Sequence, residues 1–545
     1  MLLTAELLLY YQRCARRAFL DVYGDSQEKE PQSDFLLKLH QDSRAHRESV
    51  LARQTYYQPD YNRGNPMAGM QATADLMQQG VECISRGVLM TEWTENVTLL
   101  SFPDLLVKQP GNSDFGDWIY VPQNIRLGKR SKLEYQISGA FDAQVLANIQ
   151  GVWPPTVWLL LRKRPPYAVS LEQRVPQMHQ ILENCISMLR ERRYPELFIS
   201  RQRCSLCPWY GSCYAIAQKQ RHLSLLPGVT PNRYEQLQAI PITTLEALTQ
   251  LTTAQLTPLF GPEMAEQLMT QARSTFENRA IFRDLQNSKP KLKDFVDREK
   301  MEILSRTKSW IRDAQSQGNL VKSEGETIDL DSDSTLRSTT ERSLLNRTAR
   351  LPKFQDRIEI HFDLEAEPDL DIDFMFGLLI VDRLAKTEQF YGFIAEKPED
   401  EITIWQQFLD LVWQYPDAPI FHFCDYEVKT TSKLAKRYKT PRKLWQPLIS
   451  RFVDVHWWVT QTAILPVESY ALKPIARWLG FQWRDASANG AQCICWYNQW
   501  LETGDRAYLD AIVQYNEDDC RATYQVKDWL VNFWLTAESG PTREM

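Results

Sequence analysis

The chain has 545 residues, 43% hydrophobic and 24% charged, with a formal net charge of -6 at pH 7. That length exceeds what one hydrophobic core organises, so two or three domains are expected, and the ordinary composition excludes a fibrous or disordered chain. No run of about 18 apolar residues occurs, so no membrane span is expected, and whether nucleic acid binds is left to local basic patches.

In chain order, the opening MLLTAELLLYYQRCARRAF reads as an amphipathic helix, with Leu7, Tyr10, Tyr11 and Cys14 at helical spacing. Its basic residues follow the apolar part, the reverse of a signal peptide. Ten cysteines without a secretion signal point to a reducing, cytoplasmic compartment. A second helix carries His46 and Glu48. Strand-like runs follow at Val97–Leu106, Trp118–Leu127 and Thr156–Arg162, with a helix bearing Gln136 before the last. Cys204, Cys207 and Cys213 then form C-x2-C-x5-C. A thiolate cage needs a fourth ligand, and Cys14, flanked by Arg13, Arg16 and Arg17, is the candidate. Four thiolates suit a [4Fe–4S] cluster or, alternatively, a structural Zn²⁺; no second C-x2-C lies nearby as a zinc ribbon would show. Cys83 and Cys185 read as buried thiols.

One early cysteine, an α/β stretch and then C-x2-C-x5-C resembles the iron–sulfur-stapled RecB-like nucleases of the PD-(D/E)xK superfamily. The resemblance maps His46 onto that family's histidine, Asp104 onto its "PD" aspartate, Asn124-Ile-Arg126 onto its (D/E)-x-K strand, and Gln136 onto its glutamine. Two departures imply a degenerate centre. Asn124 removes a full negative charge from a metal site, and Arg126 replaces a compact ammonium by a wide, planar guanidinium. A rival alignment, with Gly139-x-x-Asp142 and Leu161-Arg-Lys163, also lacks the acid. What remains on this reading is a nucleic-acid-binding groove on a cluster-braced scaffold.

Leu225-Leu-Pro-Gly-Val-Thr-Pro231, followed by Ile240–Leu248, resembles a helix-hairpin-helix unit whose turn at Gly228 offers backbone N–H groups to a phosphate. Asp313–Arg350 is polar, charged and poor in apolar residues, the composition of a flexible linker. Beyond it, Ile358–Glu365 alternates apolar with polar residues, which places Asp363 and Glu365 on one face of a strand. Runs at Phe374–Val381 and Phe390–Ile394 complete a meander. A helix at Ile402–Tyr415, a strand at Pro419–Cys424 and helices including Leu444–Phe452 and Leu472–Leu479 follow.

That order, with Asp363-x-Glu365 and Tyr515-x3-Asp519, resembles the tyrosine-bearing DEDD exonucleases of RNase H-like fold. The resemblance puts Glu427 at the second acid and His422 beside it, with Asp425 and Asp454 as competitors, and gives Lys473 a phosphate to meet. The neighbours Glu517 and Asp518 read as an exposed helix face. The expected architecture is therefore α/β and multidomain. A RecB-like restriction-endonuclease-type core with an iron–sulfur staple occupies 1–220, and a helix-hairpin-helix-like region 221–275. A helical then flexible linker covers 276–350, and an RNase H-like domain 351–535. The function this implies is two-metal (Mg²⁺ or Mn²⁺) 3′→5′ exonuclease action on DNA or RNA, with Asp363, Glu365, Glu427 and Asp519 as ligands and Tyr515 orienting water. The alternatives are a non-catalytic nucleic-acid-binding or repair scaffold, or cleavage at the upstream centre.

Overall fold

The computed structural model describes residues 1–283 and 358–538, which divide into two compact units, Met1–Ser224 and Leu225 onward. The linker expected within 276–350 lies, past Arg283, outside the described residues. Among the described residues no helix is long and apolar enough to cross a membrane.

The first unit opens with β1 (Leu2–Thr4) and α1 (Ala5–Arg13), whose first turn is capped by the Thr4 hydroxyl accepting the Leu7 N–H at 3.0 Å. The expected single helix breaks at Cys14, which is extended (φ -163°, ψ 110°) before α2 (Ala15–Tyr23) begins. The break sets Cys14 at a corner instead of on a helix face. The chain continues through α3 (Asp34–Leu51), α4 (Pro66–Gln78), β2 (Cys83–Ser85), β3 (Leu89–Thr94), β4 (Val97–Ser101), β5 (Leu105–Ser113) and β6 (Gly116–Arg126). It then forms α5 (Leu133–Gln150), β7 (Val157–Leu161), β8 (Tyr167–Val169), α6 (Leu171–Arg190), α7 (Arg201–Cys204) and α8 (Tyr210–Lys219). The run Val97–Leu106, expected as one strand, is two. Pro103 lacks an amide hydrogen and has a fixed φ, so the chain turns there from one sheet into another. Those sheets have orders β1-β4-β3 and β2-β5-β6-β7-β8. Between them α5 buries Ile137, Phe141, Val145 and Leu146 against Tyr120, Met178 and Leu182.

The second unit begins with helices α9 (Pro231–Ala239), α10 (Leu245–Thr249), α11 (Thr253–Phe260) and α12 (Pro262–Glu277). Ahead of α9, Gly228 holds φ +91°, a conformation that disfavours any side chain. Its carbonyl accepts Arg233 Nη1 at 2.6 Å. This helical stretch is stitched to the C-terminal part of the same unit. Strand β9 (Ile281–Phe282) pairs antiparallel with Ala463–Ile464, and Gln271 Nε2 donates to the Leu465 carbonyl at 2.7 Å.

The remaining elements are β10 (Ile358–Glu367), β11 (Ile372–Asp382), β12 (Thr387–Ile394), α13 (Glu401–Val412), β13 (Ile420–His422), α14 (Tyr426–Arg437), α15 (Arg442–Ile449) and β14 (Phe452–Asp454). Then come α16 (Val455–Thr462), β15 (Ala463–Ile464), α17 (Leu472–Trp478), α18 (Gly490–Thr503) and the long α19 (Ala507–Glu538). The sheet order is β12-β11-β10-β13-β14: an antiparallel meander on one side of β10, with two parallel strands on the other. Strand β14 corrects the expectation that Leu444–Phe452 is wholly helical. Arg451 ends that helix by donating to the carbonyls of Val412, Tyr415 and Ala418, which docks the next three residues on the sheet edge. One face of β10 sends Ile360, Phe362 and Leu364 into a core with Phe408 of α13. The other face carries Glu359, His361, Asp363 and Glu365 and is crossed by α19.

Candidate metal centre

Crossing β10, α19 meets each polar residue in turn. Lys527 lies against Glu359 at 2.6 Å, and Tyr524 against His361 with ring centroids 4.9 Å apart. Asn516 reaches Asp363, with Nδ2 donating to Oδ2 at 2.7 Å. One turn on, Asp519 joins Asp363 and Glu365. Carboxylate oxygens of Asp363, Glu365 and Asp519 all lie within 4.8 Å of one another. Among the described residues this is the one group of acid, histidine or cysteine side chains so converged.

The electrostatics follow from crowding. Burial, then repulsion from Asp519, Glu365 and Glu427, pushes the Asp363 carboxyl well above the usual carboxylate range. Glu365 and Asp519 move up as well, burial again the leading cause. Three hard oxygen donors that resist sharing a site when ionised are what a small divalent cation relieves, so the residues fit Mg²⁺ or Mn²⁺.

Neighbouring groups hold the acids in place. Asn516 is fully buried, and its amide can reach Asp363 because Gly377, paired with Asp363 across the sheet, has no side chain. A Cβ at Gly377 would lie 1.6 Å from Asn516 Oδ1. Trp483 Nε1 donates to Asp519 Oδ1 at 2.7 Å. The loop carrying Trp483 is clamped by Arg484, which binds Asp518 at 2.8 Å and Glu517 at 2.9 Å. Asp518 is therefore buried and ion-paired, and Glu517 half-buried, which corrects the expectation that both are an exposed face. Tyr515, one helical turn before Asp519, is buried and hydrogen-bonded to it. Burial and the nearby acids raise its phenol, so it stays protonated. The Lys473 ammonium sits 4.8 Å from the Tyr515 ring centroid and donates to the Ala488 carbonyl. Burial lowers its pKa, while Asp519 opposes that shift.

Glu427 stands apart from the converged three. It is buried on the first turn of α14, with Oε2 3.3 Å from His422 Nδ1. It is close enough for its charge to raise Asp363 and Glu365. Its competitors have other partners. Asp425 is exposed and paired with Lys429. Asp454 caps α16 and accepts the N–H of Cys424, which is held at φ +77°.

In the first unit the corresponding acid is surrounded by cations. Asp104 is buried where the chain enters β5. Its Oδ1 lies 2.7 Å from Arg47 Nη2, and its Oδ2 lies 3.4 Å from Arg126 Nη1 while accepting the Ile125 N–H at 2.7 Å. Asn124 donates to Asp142 at 2.7 Å, as does the Ser101 hydroxyl at 2.6 Å. Burial pushes the Asp142 carboxyl up to about 6. Gln136 accepts from Arg174 Nε at 2.7 Å, and His46 Nε2 is 3.4 Å from the Leu160 carbonyl. Two guanidiniums occupy the space beside Asp104 that a metal ion would need.

The cysteines gather from the α1–α2 corner and the α7–α8 turn. Burial raises the thiols of Cys204, Cys207 and Cys213; each also feels Cys14, and each has an arginine (Arg203, Arg17 and Arg16 respectively) favouring the thiolate. The Ser200 N–H donates to Cys204 Sγ at 3.3 Å. Buried Trp209 anchors the turn to α2 through Asp21 at 3.0 Å. A sulfur-rich site lined with N–H donors and guanidiniums is suited to a thiolate-bound metal group.

Of these residues, Asn516, Trp483 and Gly377 were not singled out from sequence. Asn516 lies inside the Tyr515–Asp519 motif, and a glycine interior to an apolar strand signals close approach. No local signal marks Trp483.

Residues 360–531 match the family model RNase_H_2 of the RNase_H superfamily. No curated protein matches the chain. The C-terminal region is thus an RNase H-like domain. Its match and its acid cluster support a metal-dependent phosphodiester hydrolase of the nuclease type, with nucleic acid as substrate.

Proposed function

We propose that the protein is a 3′→5′ exonuclease on DNA or RNA that cuts at the C-terminal acids, and that its first unit binds nucleic acid and carries a [4Fe–4S] cluster. The observation carrying the catalytic reading is the convergence of Asp363, Glu365 and Asp519 within 4.8 Å beneath α19. These three, with buried Glu427 nearby, would hold two Mg²⁺ or Mn²⁺ ions. Ions so bound lower the pKa of water and stabilise the charge of the leaving oxygen.

The chain's own groups do the positioning. Asn516 fixes Asp363 and Trp483 fixes Asp519, so neither carboxylate need reorganise as the reaction proceeds. Tyr515, a neutral phenol near pH 7, orients the attacking water by hydrogen bonding. The Lys473 ammonium places a fixed positive charge beside the site, where a scissile phosphate is held.

For the cysteines, C-x2-C-x5-C with Cys14 as the fourth thiolate, and no second C-x2-C nearby, supports the cluster over zinc. Anaerobically purified protein should be brown and contain iron; a colourless protein with stoichiometric zinc would overturn the cluster.

The exonuclease reading is tested with single-stranded DNA and RNA labelled at either end, with Mn²⁺ present. A 5′ label should yield a ladder of shortening strands, and a 3′ label should be released at once as mononucleotide. Internal fragments from both, or no cleavage of either nucleic acid, would refute it.

A further inference from the structure

The first unit contains a cavity of about 580 Å³ that is lined by His46 but by none of Asp104, Asn124, Arg126 and Gln136. One wall is a stripe of α3 in which Asp42, His46 and Ser49 recur at i, i+4 and i+7, continued by Arg53 just past the helix. The opposite wall is the end of β7 and the turn into β8, Arg162-Lys163-Arg164. Lys163 takes φ +54° there, a left-handed conformation uncommon outside glycine, and the tight turn presents three consecutive cations to the cavity. The apolar part of the lining is Ala45, Val50, Leu161 and Pro166, of which Leu161 is buried.

The balance of charge decides what can enter. Among the described lining residues, Arg53, Lys163 and Arg164 face one acid, Asp42, which is already paired with Lys38 at 2.9 Å. A cation is therefore repelled, and a purely apolar ligand would leave a ring of charges desolvated. A ligand with a dianionic or diester phosphate at one end and a flat, apolar body at the other satisfies both the cations and the apolar lining. The volume lies within the ~300–1,000 Å³ usual for sites that enclose small ligands. The seat is also braced: Arg47, next to His46 on α3, turns the other way into Asp104 and ties the helix down from behind.

We infer that this cavity is a binding site for a nucleoside phosphate, either the end of a single strand or a free mononucleotide. It holds that ligand without cleaving it, because it offers cations and no cluster of acids. The inference rests on the reading that the protein acts on nucleic acid and supplies that reading with a place where strand or product is gripped.

The test uses full-length Asp363→Asn protein without divalent metal, so binding is scored whether or not the C-terminal acids cut anything. Fluorescence anisotropy with a labelled single-stranded oligonucleotide is measured across a salt series, with and without Arg53→Ala, Lys163→Ala and Arg164→Ala combined. These side chains are exposed, and matched melting temperatures confirm folding. The triple variant should bind at least tenfold more weakly, with a salt dependence shallower by about two, since each phosphate contact in a single strand contributes roughly 0.7. The charge-preserving set Arg53→Lys, Lys163→Arg and Arg164→Lys should restore most of the affinity. Competition by deoxyadenosine 5′-monophosphate that is lost in the triple variant would identify a free nucleotide as a ligand; binding of the strand alone would identify the strand end. Equal affinity and equal salt slope in parent and triple variant would overturn the site. Failure of the wild type to hydrolyse any nucleic acid would count against the exonuclease reading and leave this result standing.

Discussion

Two buried aspartates show how neighbours decide what an acid does. Asp363 lies on a central strand with Glu365 and Asp519 crowding it, and its charge is held off by burial and repulsion. Asp104 sits where the chain enters a strand of the first unit, with Arg47, Arg126 and a backbone N–H on its oxygens. In one environment three acids crowd together beside a single ammonium, Lys473, and a divalent ion would relieve their repulsion. In the other, two guanidiniums already neutralise the acid, and they do not exchange with a metal. The same side chain reads as a ligand in one unit and as a structural anchor in the other.

The largest effect expected from this contrast is on activity. Asp363→Asn should reduce Mn²⁺-dependent release of nucleotides by about 10³-fold, the scale of losing one preorganised charge at a reacting centre. Asp104→Asn should leave that rate within a few-fold, measured on the same labelled strand.

Next, Gly377→Ala should cost about 3 kcal/mol of stability, seen as a lower urea midpoint, because the new methyl displaces buried Asn516. The same variant should bind Mn²⁺ more weakly, since Asp363 loses the amide that holds it.

The units should also respond to pH with opposite sign. Burial alone would raise the Glu359 carboxyl, yet bonds from His361, Arg383 and Lys527 hold it down to about 2; Asp528 shares Arg383 and Lys527. A depressed folded pKa gives stability that is present above the unfolded value and lost as pH falls through the folded one. Glu359 thus contributes on the order of 2 kcal/mol above pH ~4.5, fading toward pH 2. Asp142 is the reverse. Its carboxyl, raised to about 6, contributes below its unfolded value and loses that contribution as pH climbs through 6. Urea midpoints of Glu359→Gln and Asp142→Asn, each minus wild type across pH 3 to 8 (a range set by the ordinary carboxylate pKa of roughly 4), should diverge in opposite directions. Parallel curves would show that the two networks do not differ as described.

Smallest, Lys473→Met should raise KM for the strand about tenfold, roughly 1.4 kcal/mol, with little change in kcat. A kcat loss with unchanged KM would instead give Lys473 a role in the chemical step.

The sequence was most legible where periodicity and chemistry coincide. Alternation along Ile358–Glu365 placed both acids on one face, and the spacing of Tyr515 to Asp519 placed hydroxyl and carboxylate one helical turn apart. Less legible were breaks made by single residues. Cys14 interrupts an otherwise helical stretch, Pro103 divides one apolar run between two sheets, and Arg451 ends a helix so that Phe452–Asp454 can join the sheet edge. Least legible were contacts that exist only in three dimensions. Trp483 reaches Asp519 because Arg484 pairs with Asp518, 34 residues along the chain. Glu427 carries the expected charge, but its carboxylate turns toward His422, an orientation that spacing does not encode.

The location of the metal centre is tested most directly by counting Mn²⁺ bound at equilibrium, by electron paramagnetic resonance, in wild type, Asp519→Asn and Asp104→Asn. Asp104→Asn should bind as wild type does, and Asp519→Asn should lose most of the bound metal. Retention of Mn²⁺ by Asp519→Asn, with loss in Asp104→Asn, would contradict this assignment and move the centre to the first unit.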